Sequence, residues 1–195
     1  MNTYNYSDLA SALRKIVWAY ALIHLHFNLN QLDILPDWLG YILIVSVLPV
    51  LNEYVSSAKL LRPFGIFLVV WNLFQWGAAF AGDGFLPPLV GTVVGIINVY
   101  FTFQLLTNIA EIAENTHTGN PETIRTLRNI DAVLVTFMCL PLPWDAIENL
   151  GFIGFILLLF AFGIVVGIFF SLNGMKKDLQ TLANRKLAEP EIFEE

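Results

Sequence analysis

Six stretches of this 195-residue chain contain no Asp, Glu, Lys or Arg, and they limit what it can fold into. They cover residues 16–32, 38–52, 63–82, 84–110, 132–144 and 149–175. A helix that crosses a bilayer needs about 20 mostly apolar residues, within a range of roughly 17–25. Four of the runs reach that length or come close to it. Residues 38–52 and 132–144 are short, and taken alone they suit re-entrant or interfacial segments.

The basic residues decide between these readings, because Lys and Arg collect in cytoplasmic loops. With six spans, Arg14 and Lys15 precede the first, and Lys59 and Arg62 join the second to the third. Arg125 and Arg128 join the fourth to the fifth, and Lys176, Lys177, Arg185 and Lys186 follow the sixth. All ten basic residues then share one side. Any smaller count moves a basic group outward. The expected fold is therefore all-α integral membrane, with six transmembrane helices and both termini cytoplasmic. Trp38, Tyr41, Trp76 and Trp144 fall near the expected outer face, where aromatic side chains favour the headgroup level.

Composition agrees. Hydrophobic residues make up 56% and charged residues 13%, against roughly 45–50% and 25% in soluble domains. One membrane domain is expected over residues 1–175, followed by a cytoplasmic helical extension and acidic tail over 176–195. No small-residue cleavage pattern follows the first run, so it is expected to stay in the mature chain. The net charge of −6 leaves no clustered cationic face for phosphates and excludes nucleic acid as a partner. The expected surroundings are a lipid bilayer.

Helix starts are expected at Ser7, as an N-cap followed by Asp8, and at Asn120, with Pro121 in the first helical position. Short similarities recur at the span ends. Leu13-Arg14-Lys15-Ile16, Leu61-Arg62-Pro63-Phe64 and Leu127-Arg128-Asn129-Ile130 introduce the odd spans. Leu39-Gly40, Val90-Gly91 and Leu150-Gly151 open the even ones. The pattern suggests three tandem helical hairpins, which would be related by an axis along the membrane normal. Coincidence is the competing explanation, since these pairings are common in apolar sequences.

Polar groups at membrane depth are costly and mark candidate sites. His24 lies about 15 Å beyond Arg14 by helical rise, near mid-bilayer. Continued helix would put Tyr20, His24 and Asn28 on one face, and His26 and Asn30 on another. Asn72 lies as far past Arg62 as His24 lies past Arg14, and Asn98 adds a further amide. His24, Asn28, Asn72 and Asn98 thus form the candidate solute or proton site. The plainer reading is that these groups only tie helices together. Gln104, Asn108 and Glu111 share a face near the cytoplasmic end of the fourth span and read as a wet helix end. Gly91-x-x-x-Gly95 and Gly163-x-x-x-Gly167 predict close helix packing, within the chain or between copies. The lone Cys139 sits in an apolar run and reads as packing.

No G-x-S-x-G elbow, phosphate-binding P-loop or metalloprotease helix is present in the sequence, so neither catalysis nor a cofactor or metal is expected. The stretch Asn28-Leu29-Asn30-Gln31-Leu32-Asp33-Ile34-Leu35-Pro36-Asp37-Trp38-Leu39-Gly40-Tyr41-Ile42-Leu43-Ile44 resembles one in small uncharacterised multispanning membrane proteins of Gram-positive bacteria. That resemblance implies a bacterial cytoplasmic membrane and carries no activity. Size and span number are also similar to the substrate-binding membrane subunits of modular vitamin transporters. Their row of alanines four apart is not formed here, because Ala10, Ala12, Ala19 and Ala21 do not line one face. Two functions are expected to compete. One is transport or binding of a small solute or ion; the other is a non-catalytic membrane scaffold or regulatory subunit that holds a membrane protein partner.

Overall fold

The computed structural model describes residues 5–24, 28–29, 32–33, 36–81, 88–139 and 151–188. Among them are six α-helices: α1 (Tyr6–His24), α2 (Asp37–Tyr54), α3 (Leu61–Ala81), α4 (Pro88–Thr116), α5 (Pro121–Cys139) and α6 (Gly151–Ala188). A 3-10 segment over Ser56–Leu60 joins α2 to α3. Between α1 and α2, β1 (Asn28–Leu29) pairs antiparallel with β2 (Leu32–Asp33), Asn28 opposite Asp33 and Leu29 opposite Leu32. His26, Asn30, Asp83, Trp144, Asp145, Glu148 and the acidic end of the chain lie outside the described residues.

The helix starts follow local capping chemistry. The Asn5 side-chain oxygen accepts the Asp8 backbone N–H at 3.4 Å, and its amide donates to the Asp8 carboxylate at 2.6 Å. Asn5, rather than Ser7, therefore caps α1, and Ser7 already lies within the helix. At α5 the Asn120 side chain accepts the Thr123 N–H at 3.0 Å, with Pro121 opening the helix. The missing N–H of Pro121 costs nothing there.

The helices close into a circuit in which each packs on the next and α6 returns to α1. The α1–α2 pair is antiparallel. A Cβ on Gly40 would come within 2.6 Å of the Ile23 side chain and 2.8 Å of the Ala19 carbonyl oxygen, so the backbones touch there. At the other end of the pair, the Tyr54 hydroxyl donates to the Asn5 carbonyl at 3.0 Å. The middle hairpin behaves differently. α3 and α4 lean mainly on α2 and α5, and touch each other much less.

Buried side chains recur every three or four positions. They include Leu9, Leu13 and Ile16 on α1, Phe101, Leu105 and Ile109 on α4, and Ile168, Leu172 and Met175 on α6. This core fills the end of the bundle that holds Asn5, Tyr54 and the α4–α5 connection. Towards the opposite end large apolar side chains are exposed, among them Val70 and Phe74 on α3 and Phe152, Phe155 and Leu158 on α6. An uncovered apolar surface of that extent calls for a non-aqueous neighbour.

Three stretches are long and apolar enough to cross a membrane, Ser56–Ala78, Val90–Thr116 and Gly154–Ala188. The expectation of six such helices is met by three among the described residues, and the others fall short for visible reasons. α1 carries Arg14 and Lys15 mid-helix, and its uncharged helical part covers only about 13 Å. α2 ends in Asn52, Glu53 and Tyr54, and the polar first half of α5 precedes an apolar part that is described only to Cys139.

The glycine motifs are half right. Gly95 meets the Cys139 sulfur and Gly167 meets the Leu127 side chain, but among the described residues nothing lies within 4 Å of a Cβ placed on Gly91 or Gly163.

Candidate functional site

α1, α2, α4 and α6 leave a cavity of about 10 Å³ at the bundle centre, lined by polar groups of Tyr20, His24, Tyr41 and Thr102 among apolar neighbours. That space is near the lower limit for one water molecule. The His24 Nδ1 lies 2.9 Å from the Tyr20 carbonyl oxygen. Since a carbonyl only accepts, this bond puts a proton on Nδ1. The imidazole also stacks on the Tyr20 ring, with centroids 4.0 Å apart. Across the cavity, the Tyr41 hydroxyl donates to the Asn98 side-chain oxygen at 2.8 Å.

Of the four residues singled out from the sequence, the structure thus brings His24 and Asn98 to one region, with Tyr41 as the link. Asn72 does not join them. Its amide donates at 2.8 Å to the Leu68 carbonyl of its own helix, which satisfies the group locally. Asn28 is also removed from the expected face, because α1 ends at His24 and Asn28 pairs within the β1–β2 ladder. Asn, Gln and Asp crowd that segment and favour turns over helix continuation. The side chain of Asn28 lies outside what the structure describes.

Asp131 is not among the four candidates drawn from the sequence. Charge counting puts it at the cytoplasmic end of the fifth span, yet it is only 8% exposed. It shares the inward face of α5 with Ile124 and Leu134, which are also buried. The signal was present in the spacing of Ile124, Leu127, Asp131 and Leu134, where a carboxylate occupies a core position of a 3.6-residue repeat. No hydrogen bond to its carboxylate is found among the described residues. On α1 the Tyr20 hydroxyl lies in the same apolar interior. That hydroxyl is itself buried, without a hydrogen-bond partner among the described residues. A carboxylate on α5, and a phenol with an imidazole stacked on it on α1, thus lie inside an apolar bundle, where each is costly to bury.

Asn108 differs from a wet helix end. It is fully buried, and its side-chain oxygen accepts from Ser57 at 2.7 Å and from Gln104 at 2.8 Å. The Ser57 bond fastens the 3-10 segment to α4, while the Gln104 bond lies within α4. Glu111 is exposed one turn away. Outside the bundle, Arg125 pairs with Glu114 and Glu122, and the hydrogen bonds it donates to these carboxylates raise its pKa above the ordinary arginine value.

Comparison with protein-family models, characterised proteins and solved structures finds no match to this chain.

Proposed function

We propose that this chain is an integral membrane protein crossing a bacterial cytoplasmic membrane six times, and that it binds or conducts a proton or small monovalent cation. The observation that carries the reading is Asp131, a carboxylate enclosed on the inward face of α5, together with the buried Tyr20 hydroxyl on α1, which has no hydrogen-bond partner among the described residues. An ionisable group within a membrane bundle is expensive, and function is its usual justification. The cavity of about 10 Å³ favours a proton or a partly dehydrated ion over an organic solute, which needs roughly 300 Å³ or more. His24 and Tyr41 line that cavity with Tyr20, and Tyr41 is hydrogen-bonded to Asn98.

The six-span arrangement rests on the charge distribution and the circuit of six helices. α2 and α1 pack as a hairpin beside the longer apolar helices, and all basic residues stay on one side.

Proteoliposomes loaded with a pH-sensitive dye test the activity under imposed proton, sodium or potassium gradients. Wild-type protein should dissipate one of them, Asp131→Asn should not, and Tyr20→Phe should slow the rate. Identical rates for wild type, Asp131→Asn and empty vesicles would remove the ion reading. That outcome would favour the scaffold reading, which the small size of the central cavity supports.

A further inference from the structure

On the outside of the bundle, α4 and α5 diverge around an apolar cleft of about 350 Å³. Ile96, Val99 and Phe103 line it from α4, and Thr136 and Cys139 from α5. At one end it narrows where the Cys139 sulfur meets Gly95. At the other end stands Arg128, whose guanidinium sits 4.3 Å from the centre of the Phe103 ring. Helical spacing explains the alignment, since Arg128, Thr136 and Cys139 fall on one side of α5, and Ile96, Phe103 and Thr107 on one side of α4.

Among the described residues Arg128 is a cation without an anion. Its Nη1 donates to Thr107 Oγ1 at 2.8 Å, and its Nε and Nη2 donate to the Asn129 side-chain oxygen at 3.0 and 2.7 Å. No carboxylate pairs with it among the described residues, in contrast to Arg125 one turn earlier. Partial burial, and then the Arg125 charge, lower its pKa from the ordinary arginine value, although it stays charged at neutral pH. Of its five N–H donors three are engaged, which leaves two to point at an incoming acceptor.

An apolar slot ending at an uncompensated cation fits an amphiphile of opposite charge. The geometry points to an acidic glycerophospholipid of the cytoplasmic leaflet, with one acyl chain in the α4–α5 cleft and its phosphate on Arg128. The reach agrees, because Thr92 to Phe103 spans about 16 Å of helix and one leaflet contributes about half of a ~30 Å hydrocarbon core. Arginine holds phosphate through paired charge-assisted hydrogen bonds, and its place near the cytoplasmic end of α4 is the headgroup level of the proposed orientation. The inference uses the membrane placement and is independent of any ion movement.

Native mass spectrometry of the full chain released from detergent tests it, with phosphatidylglycerol and phosphatidylcholine of identical acyl chains as probes. Wild-type protein should retain phosphatidylglycerol about tenfold better, as expected for charge-assisted contacts. Arg128→Gln should erase that preference, Arg128→Lys should keep most of it, and Ile96→Trp should fill the cleft and weaken both lipids. Glycerol phosphate, which has no acyl chain, should not compete. Equal retention of the two lipids by wild-type protein overturns the proposal, as does retention unchanged in Ile96→Trp. If Arg128→Gln does not fold, these two comparisons still decide. Asp131→Asn should bind lipid as wild type does, so a failure of the ion reading leaves this result unaffected.

Discussion

Tyr41 on α2 donates its phenol proton to the Asn98 side chain on α4 across 2.8 Å, joining residues 57 positions apart in the chain. It also sets its ring edge-on to Phe101, with centroids 5.8 Å apart. Removing the hydroxyl leaves the Asn98 acceptor unpaired while the ring contact survives. Tyr41→Phe should therefore lower stability by about 0.6–2 kcal/mol, read as reduced thermal stability in detergent. Tyr41→Phe added to Asn98→Leu should cost little more than Asn98→Leu alone. Strictly additive losses would show that the bond is not a coupling between these helices.

Close approach is unequal among the helical glycines. Gly40→Ala puts a methyl group against the Ala19 carbonyl, where no side-chain movement relieves it. It should destabilise the α1–α2 pair by about 1–3 kcal/mol, the usual range for overpacking. Gly163→Ala meets open space and should match or exceed wild-type stability, because alanine favours helix by about 1 kcal/mol over glycine. Equal melting temperatures for the two variants would contradict the α1–α2 contact.

Asp131 should be a stability liability. Asp131→Leu replaces a buried carboxylate by an apolar side chain on the Ile124–Leu134 face, and should raise the detergent melting temperature at pH 7. The same variant should lose any ion flux that wild type shows. A lowered melting temperature would instead mean that the carboxylate holds the bundle together through a partner among the residues that face it.

Orientation is tested by single cysteines in a Cys139→Ser background. Positions 37, 83 and 148 should react with an impermeant thiol reagent in intact cells. A cysteine in place of Asn115, which is exposed in the last turn of α4, should not. Thr118 is a poor choice for the inner face, because it is buried and shares a hydrogen bond with Thr116. Labelling at position 115 in intact cells would reverse the six-span arrangement.

Each helix of the bundle overlaps a charge-free run, because exclusion of Lys and Arg from an apolar layer leaves a mark on composition. Local capping chemistry at Asn120 and Pro121 was equally legible. The candidate site was less so. The position of His24 along α1 follows from counting residues, but its partners depend on which side of each helix turns inward, and Asn72 turns back on its own backbone. The burial of Asp131 is not marked by charge counting, which gives a position along the chain and not the side of the helix that turns inward. Its neighbours at Ile124 and Leu134 show that this turn of α5 faces inward. The ending of α1 at His24 depends on a short strand pairing whose partner residues are too few to give a periodic signal.

The carboxylate of Asp178, on α6 beyond Met175, accepts the backbone N–H of Gly119 at 2.8 Å. Gly119 adopts a left-handed backbone with φ of 62° and leaves no room for a side chain against Met175. The far third of α6 is thereby clasped to the connection between α4 and α5. Because α6 runs unbroken from Gly151 to Ala188, roughly 57 Å by helical rise, the clasp joins a single long helix to the connection that leads into α5, the helix that carries Asp131 and Arg128.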